Sequence, residues 1–555
     1  MKKIVWLAAL AIAAVSPAIA QTPFNGKAII DANNISATML VHGDMWWDPE
    51  TGQPKCEFPK GSGKHLQFAA SVWMSGYDAG NQLHVAAQTY RQDGNDYWPG
   101  PLDAGGTLSY ATSYQWAKIW KATRDEINAH KANLYHTVAN TPESILTWPG
   151  KNNVFAKGNG GALLDVPAEM APFVDLNGDG RYQPLKGDYP DIRGDQGLWY
   201  VFTDNGPSHS QTNGTPLGVE VRVLAYAYKR GTLIDNVVYY DYTILNKSAN
   251  DYHDFRMALW DDVELGFYMD DYIGFDSSWR LGICYDGGSS DGGISGTPVN
   301  SYGLNSPMVG VTFVSLPGDA APGYVPAGTF IYYNNDNSVN GIPLVDTEYN
   351  HYMRSRWRNG NHLTNTFSGR GIPNYGYGVG PECNYVFTGD LMDTNAWSEC
   401  ICSNNLGDRR FVLASNDFEL KSGDKKRVVM ALVVVDSAGG CRLGNFKKIR
   451  TVADTAWGVF RNPPPPIYVD PIQLTETGIN VYPNPAHDKL VVENISGDSL
   501  ERIQIIDLLG RQVHAFPPGA SAYRCTIDIH SFIPGMYILR YCCAGQWGQQ
   551  MFVKN

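Results

Sequence analysis

Runs of alternating apolar and polar residues constrain the fold of this chain more than any other feature of its sequence. The segments VEVRVLAYAY (219–228) and NVVYYDYTILN (236–246) alternate with a period of two, as β-strands with two different faces do. RRFVLAS (409–415) and KKRVVMALVVVD (425–436) are rich in β-branched residues and predict a pair of buried strands. With 58 glycines and 33 prolines available for turns, we expect a mostly-β protein with a large β-sandwich-type body.

Two segments depart from this pattern and predict accessory helices. The first is SYQWAKIWKATRDEINAHKAN (113–133), for which Ser113 is the expected N-cap. Its large apolar residues share one helical face; they are Trp116, Ile119, Trp120 and Ile127. The second segment, GNFKKIRTVADTAWGVF (444–460), is expected to form a helix at the end of the body.

A run of four prolines at 463–466 divides the chain. Because proline cannot join a helix interior or a central strand, we expect a stiff, extended linker over 463–475. Residues 21–462 before it form the β-rich body, of one or two subdomains. Residues 476–555 after it consist of short strand-like runs separated by turn residues, which predicts a small Ig-like β-sandwich.

The first twenty residues have the parts of a secretory signal peptide. Lys2 and Lys3 supply positive charge, a short apolar run follows, and the A-x-A sequence at 18–20 is a cleavage site. No other apolar run approaches the length of a membrane-spanning helix. Residues 1–20 therefore predict that the mature protein acts outside the cytoplasm.

Charge and cysteine content exclude some functions. The formal net charge of −12 argues against a nucleic-acid partner. The nine cysteines show no C-x-x-C spacing of a structural zinc site, so we expect disulfides and a remaining thiol, with the pairing left open.

The segment DLNGDGRYQPLKGDYP (175–190) contains the first half of a calcium-binding loop. Acidic and amide side chains at alternate positions of a tight turn point their oxygen atoms to one centre, and Gly180 supplies the sharp bend. Position twelve of such a loop holds an acid, but Lys186 stands here, so Asp188 or an acid from elsewhere completes the coordination. The predicted ligands of a structural calcium ion are Asp175, Asn177, Asp179, the carbonyl of Arg181, and Asp188. The alternative is an Asx-turn loop that holds itself together by side-chain to backbone hydrogen bonds.

A second acidic segment, WDDVELGFYMDDYIGFD (260–276), offers the carboxylates that a hydrolase would need. Glycosidases use two carboxyl groups about 5 to 9 Å apart as acid and as nucleophile or base. The same residues would equally bind a second calcium ion or cap turns in a solvated loop. The acids are Asp261, Asp262, Glu264, Asp270, Asp271 and Asp276, with Asp254 just upstream.

Aromatic residues in the N-terminal part allow a further interpretation. Trp46, Trp47, Trp73, Tyr97 and Trp98 would form a platform on which sugars stack, although in a chain with 12% aromatic residues they are more often core. Sequences typical of a metalloprotease, a serine hydrolase or a P-loop are absent from the chain. The sequence therefore favours a non-catalytic protein over an enzyme.

The C-terminal module resembles the type A sorting domain of cargo proteins of the type IX secretion system of Gram-negative bacteria. The matching segments are VYPNPAHDKLVV (481–492), IQIIDLLGRQV (503–513), IDIHSFIPGMYILRY (527–541) and the terminal MFVKN. On this resemblance the sorting motif consists of Pro483, Asn484, Pro485, Gly535 and Tyr537.

From the residues themselves we expect the two prolines to protect the first strand of this module from edge pairing. We also expect four side chains to fill its core, namely Tyr482, Leu490, Ile505 and Tyr537.

The resemblance implies export through the periplasm and across the outer membrane by the type IX machinery. It also implies cleavage of the sorting domain in many relatives, with transfer of the cargo to a surface glycolipid. Residues 24–461 resemble the uncharacterised N-terminal regions of other such cargo, which brings no catalytic residue.

Together these observations predict a secreted or cell-surface cargo protein whose calcium-stabilised body has a structural or adhesin-like role, with a glycan or a protein as its ligand. The alternative is a secreted glycan-active hydrolase that uses carboxylates in 261–276.

Overall fold

The computed structural model describes most of the chain, which divides into two compact units, Met1–Pro466 and Ile467–Asn555. The described residues are 24–91, 94–133, 135–292, 300–304, 306–319, 324–436, 438–441, 446–465, 479–494, 499–507, 512–516, 522–543 and 546–555. The predicted signal peptide (1–20) and residues 466–475 of the predicted linker lie outside them.

A ten-stranded antiparallel sheet, here named the first sheet, forms one layer of the body. Its long central strands, His65–Tyr77 and Tyr252–Val263, pair along most of their length. The strands are Lys27–Ile30, Ser36–Leu40, Asp44–Met45, Cys56–Glu57, His65–Tyr77, Leu83–Ala86, Tyr252–Val263, Thr329–Asn334, Arg409–Ala414 and Phe418–Leu420.

A nine-stranded antiparallel sheet, the second sheet, forms the other layer. Its strands are Trp98–Pro99, Trp120–Thr123, Gln196–Thr203, Val219–Ala227, Val237–Asn246, Asp271–Asp276, Leu281–Asp286, Met308–Ser315 and Lys425–Val435. Two small ribbons complete the β-structure of the body, one joining Phe173–Val174 to Tyr189–Pro190 and one joining Trp47–Asp48 to Gln53–Pro54.

The second sheet is buried on both of its faces. Along the strand Gln196–Thr203, Leu198 and Tyr200 belong to the core shared with the first sheet, whereas Trp199 and Val201 belong to a second core on the opposite side. Every residue of this strand is buried, because alternate side chains enter two different cores. The two layers confirm the predicted sandwich-type, mostly-β body.

The predicted C-terminal helix of the body is present as Phe446–Arg461, and its apolar side packs on the outer face of the second sheet. The described residues contain six α-helices rather than two. The other five are Tyr110–Trp116, Arg124–Lys131, Glu143–Leu146, Asp346–Met353 and Glu399–Cys402, and short 3-10 turns lie at Asn159–Gly161, Pro184–Lys186 and Leu233–Asn236.

The prediction of one helix over 113–133 is wrong. Tyr110–Trp116 and Arg124–Lys131 are separate helices, and the strand Trp120–Thr123 between them pairs with Gln196–Thr203. The N-caps are Ser109 and Thr123 rather than Ser113. Pairing with the sheet edge buries Trp120 against Trp199, and this contact outweighs the local helical periodicity.

The strands Arg409–Ala414 and Lys425–Val435 are both buried, as predicted, but they are not partners. The first pairs with Tyr252–Val263 and Thr329–Asn334 in the first sheet. The second lies at the centre of the second sheet. The chain thus passes from one layer to the other between these two strands.

The C-terminal unit is a small sandwich of two sheets, as predicted. The first contains Ile479–Tyr482, Lys489–Asn494 and Arg524–Asp528, and the second contains Leu500–Asp507, Gln512–Phe516, Gly535–Cys543 and Gln546–Lys554.

Of the four residues predicted to fill the core of this sandwich, Leu490, Ile505 and Tyr537 are buried, but Tyr482 is exposed. Ile479 and Val481 take the inward positions of that strand. Tyr482 therefore points outwards, where its hydroxyl donates to Glu493 at 2.7 Å.

One disulfide, Cys400–Cys441, joins residues 41 positions apart in the body. In the body, Cys56, Cys284, Cys383 and Cys402 are thiols, as is Cys525 of the C-terminal unit. In the part of the chain described, no helix has the length and apolar character needed to cross a membrane.

Candidate functional site

The predicted sorting-motif residues gather at the last strand of the C-terminal unit, Gln546–Lys554. Asn484 lies between two cis prolyl bonds; its amide nitrogen donates to the Met551 carbonyl at 3.2 Å, and its oxygen accepts the Val553 N–H at 2.9 Å. Gly535 and Tyr537 lie on the neighbouring strand, opposite Lys554 and Phe552. The structure therefore brings residues that are about fifty positions apart to one strand of the sandwich.

The predicted calcium loop forms a tight turn held by its own side chains. The two carboxylate oxygens of Asp175 accept the N–H groups of Gly178 at 2.8 Å and Gly180 at 2.7 Å. These bonds hold the pKa of Asp175 below its usual value, that from Gly180 most strongly. Gly180 has a φ of 74°, which supplies the predicted bend.

The next two predicted ligands form Asx turns in the same loop. Asn177 accepts the N–H of Asp179 at 3.0 Å, and Asp179 accepts the N–H of Arg181 at 2.9 Å. Lys186, at the twelfth position, lies 3.9 Å from Asp179. These contacts are those of the self-supporting loop that the sequence left open as the alternative to calcium binding.

Asp188 lies beneath this loop as a buried clamp. Its two oxygens accept the N–H groups of Leu176 at 2.9 Å and Gln183 at 2.7 Å. Burial raises the pKa of Asp188, and the negative charges of Asp175 and Asp179 raise it further. Within the described ranges, no three His, Cys, Asp or Glu side chains form a group that could hold a metal ion.

The acidic segment 260–276 does not converge on one cleft. Asp271 accepts the Leu265 N–H at 3.0 Å, and Asp270 accepts the Gly292 N–H at 2.8 Å. Asp276 forms an ion pair with Arg450 of the C-terminal helix of the body, and Asp254 is exposed beside His253. These carboxylates hold loops and strand ends in place.

Two acids of the segment, Asp262 and Glu264, do share a cavity, which has a volume of about 360 Å³. Asp262 lies in the strand Tyr252–Val263, and Glu264 follows directly after the end of that strand. The cavity is lined by Phe68, Tyr90, Asp262, Glu264, Tyr268, Asn335, Asp408 and Arg410.

The environments of these two carboxyls differ. The Tyr90 hydroxyl donates to Asp262, and the Arg410 guanidinium lies 3.3 Å from its carboxylate. The side-chain carboxyl of Glu264 has no hydrogen-bond or ion-pair partner among the described residues. Burial raises the pKa of Asp262 to about 7 and that of Glu264 to about 8. Near neutral pH, therefore, Asp262 is partly protonated and Glu264 is mostly protonated.

Sequence reasoning missed Tyr90, Asp408 and Arg410, because they come from segments far away in the chain. One signal was available, since Arg410 stands at the start of RRFVLAS, a segment that otherwise reads as a buried strand. A buried arginine needs an acidic partner. Here the partners are Asp262 and Asp408.

The aromatic platform considered for sugar stacking does not exist at the surface. Trp46, Trp47, Trp73, Tyr97 and Trp98 are all buried in the structure. Trp73 stacks on Trp260 with ring centroids 6.2 Å apart. These residues are core, as the alternative interpretation expected.

Comparison with known families identifies the C-terminal unit. Residues 480–554 match the family of secretion system C-terminal sorting domains. The protein is therefore a cargo of the type IX secretion system, and this domain marks it for export to the cell surface or the extracellular space. No curated protein sequence matches this chain.

Two solved structures show only remote similarity. One is a polysaccharide lyase, with 10% identity and a TM-score of 0.19, covering 71% of this chain and 44% of the lyase. This chain thus spans less than half of that protein. The other is the BSP domain of a biofilm-associated protein, with 10% identity and a TM-score of 0.16, covering 97% and 84%.

Proposed function

We propose that the body is a non-catalytic binding or structural module that the sorting domain delivers to the cell surface or releases outside the cell. The observation that carries this proposal is how the body uses its acidic residues. Most of the acids that a hydrolase would need are committed to backbone N–H groups or to ion pairs inside the fold, as with Asp270, Asp271 and Asp276. An exported body stabilised in this way is suited to display a surface for a glycan or protein ligand.

The export step has a direct test. A chain that ends at residue 475 lacks the sorting domain, so it should accumulate in the periplasm, whereas the full chain should reach the surface or the medium. Cell fractionation with an antibody against the body measures both. If the shortened chain reaches the surface as efficiently as the full chain, this route of export is wrong.

The proposal includes surface attachment after export. Removal of the sorting domain and linkage of the body to a surface glycolipid would leave a body of increased mass on the cell. Mass spectrometry of the surface form distinguishes a linked body from a free one. A surface form that still contains residues 476–555 would contradict this step.

Calcium is proposed as a structural stabiliser of the 175–188 loop. The predicted ligand atoms are all oxygens, which calcium prefers. The carboxylate oxygens that accept N–H groups each retain a lone pair that could bind the ion. The mutual repulsion of Asp175, Asp179 and Asp188, visible in the raised pKa of Asp188, would be relieved by a cation. Because the loop is already held by its own hydrogen bonds, calcium would add stability rather than create the fold.

Thermal unfolding of the full chain in excess calcium and in chelator tests this. A site that binds calcium only in the folded state adds about 2.7 kcal/mol at a hundredfold excess over Kd, so the Tm of the body should rise. The variant Asp175→Asn should lose most of the rise, and Asp165→Asn, which is outside the loop, should keep it. An identical Tm in calcium and in chelator would contradict the proposal that calcium stabilises this loop.

A glycan-active hydrolase is the second candidate, and the cavity of Asp262 and Glu264 favours it. Glu264 with a pKa of about 8 is protonated at neutral pH, as a general acid must be, and exposed Tyr268 offers a ring at the cavity mouth. A screen on neutral and acidic polysaccharides should then show turnover that Glu264→Gln abolishes without loss of folding. Turnover that survives this substitution excludes the cavity as the active site.

A further inference from the structure

Two adjoining cavities lie on the outer face of the second sheet and form a continuous surface, here named the polar groove. Their volumes are about 690 and 320 Å³, and both are lined by Met170 and Arg222. Each volume falls in the range of about 300–1,000 Å³ that is typical of small-molecule sites. The segments 101–116 and 165–170 line the larger cavity beside the sheet.

The floor of the polar groove is a part of the second sheet that the helix Phe446–Arg461 does not cover. In the half beneath the helix Phe446–Arg461, outward positions such as Tyr239 and Val433 are apolar. In the groove, Arg222, Thr243 and Arg427 form one polar row across three neighbouring strands, next to the apolar side chains of Trp199 and Leu224. Elsewhere on this face, outward positions belong to an apolar core. The row of polar side chains therefore marks a distinct polar surface and not an ordinary exposed edge of the sheet.

The charges on this floor neutralise each other. Arg222 holds the buried carboxylate of Glu220 with two nitrogens, at 2.8 and 2.7 Å. Arg427 holds Asp241 in the same two-point manner. Five basic and six acidic side chains line the groove, a formal balance of −1. A strongly charged ligand therefore finds no matching excess of charge here.

Hydrogen-bond donors remain free beside these pairs. Arg222 Nη1 donates to no described residue, and neither do the indole N–H groups of Trp116 and Trp199, which line the larger and the smaller cavity respectively. The hydroxyl of Thr243 also lines the groove. Several fixed donors that line one groove suit a ligand rich in hydroxyl groups.

From this geometry we infer that the polar groove binds a neutral oligosaccharide. The inference rests on the proposed binding role of the body and names its site and its ligand class. A nucleic acid is disfavoured by the charge balance. An extended peptide is disfavoured because the floor is the face of a sheet and offers no unpaired backbone for strand addition.

The test uses the purified full chain and a panel of immobilised hexasaccharides: cellohexaose, mannohexaose, xylohexaose and chitohexaose, with hexagalacturonate as the acidic member. At least one neutral member should bind. Exposed Ala168 lines the larger cavity, so Ala168→Trp should fill it and weaken binding at least about tenfold. Ala139→Trp, at an exposed alanine outside both cavities, is the matched control and should bind as the unchanged protein does.

Arg222→Lys examines the chemistry of the site. Lysine keeps the charge next to Glu220 but lacks the planar fork of donors, so binding should weaken while the Tm changes little. If Ala168→Trp leaves the binding of neutral glycans intact, the polar groove is not the binding site. If only hexagalacturonate binds, the ligand is not a neutral oligosaccharide.

Binding by no member of the panel also overturns the inference. Beads coated with the protein separate this result from failure of the binding role. If the beads adhere to neighbouring cells while no hexasaccharide binds, the proposed binding role of the body is supported. In that case the inference that the polar groove binds an oligosaccharide is wrong.

Discussion

Asp261 and Asp262 are neighbours in one strand, yet their carboxyls lie on opposite faces of the first sheet. Asp261 accepts from Gln67 at 3.1 Å and acts electrostatically on Tyr240 and Cys284 of the second sheet, so it faces the buried interior of the sandwich. Asp262 faces the cavity that it shares with Glu264. Strand alternation therefore separates these two adjacent acids, whereas Glu264, just past the end of the strand, lines the same cavity as Asp262.

The cavity acids predict that the body loses stability as the pH rises. Asp262 and Glu264 titrate near 7 and 8 in the folded protein and near 4 when unfolded, so the folded state holds more protons between these values. Stability is fully present below about pH 4 for these groups and is lost as the pH rises through about 8. The Tm of the full chain should fall between about pH 6.5 and about pH 8.5, a window above the titration of ordinary acids.

Glu264→Gln should flatten this fall, because glutamine does not titrate. Glu419→Gln, at an exposed position of another strand, is the control and should leave the slope unchanged. A slope that Glu264→Gln does not alter would show that the raised pKa of this residue is wrong.

The clamp below the 175–188 loop predicts a loss of stability that does not depend on calcium. Asp188→Ala removes the acceptor of two backbone N–H groups and should lower the free energy of unfolding by about 2 kcal/mol, even in chelator. Asp179→Ala removes only exposed contacts, to the Arg181 N–H, the Asn177 amide and Lys186, and should cost less. Denaturant unfolding measures both. A loss for Asp188→Ala that appears only in calcium would show that this residue is a ligand and not a clamp.

The disulfide of the body is predicted to stabilise it substantially. Cys400–Cys441 closes a loop of 41 residues, for which chain entropy gives about 4 kcal/mol. The double variant Cys400→Ser/Cys441→Ser should therefore have its unfolding midpoint at a lower denaturant concentration. Cys402 is only two residues away, but burial raises its pKa to about 12, so it should resist alkylation in the folded protein. Peptide mapping that finds Cys402 in a disulfide would contradict this assignment.

The sorting domain offers a comparison between two tyrosines. Tyr537 is buried and stacks on Phe552, with ring centroids 5.6 Å apart, so Tyr537→Ala should destabilise the domain by about 3 kcal/mol and reduce export. Tyr482→Ala, at an exposed ring, should leave both the unfolding transition and the amount of exported protein close to those of the unchanged chain. Equal export defects would show that the motif is read through its surface side chains rather than through its folding.

Local features could be predicted because neighbouring residues cause them. Alternation within Val219–Ala227 and Val237–Asn246 is a property of each strand, and the apolar stripe of Phe446–Arg461 is a property of that helix. The sorting domain was recognisable because its short motifs lie close together in sequence. For these parts the sequence by itself determined the class of the fold and the export route.

Tertiary structure decided how these parts meet. Arg409–Ala414 and Lys425–Val435 look like partners in sequence, but each pairs with strands far away in the chain. The predicted long helix broke at Trp120 because pairing with Gln196–Thr203 was available there. The polar groove likewise depends on which outward positions of the second sheet a helix covers. Burial and long-range strand pairing stabilise the fold more than the conformational preference of a local segment does. These contacts join distant residues, so no single segment of the sequence reveals them.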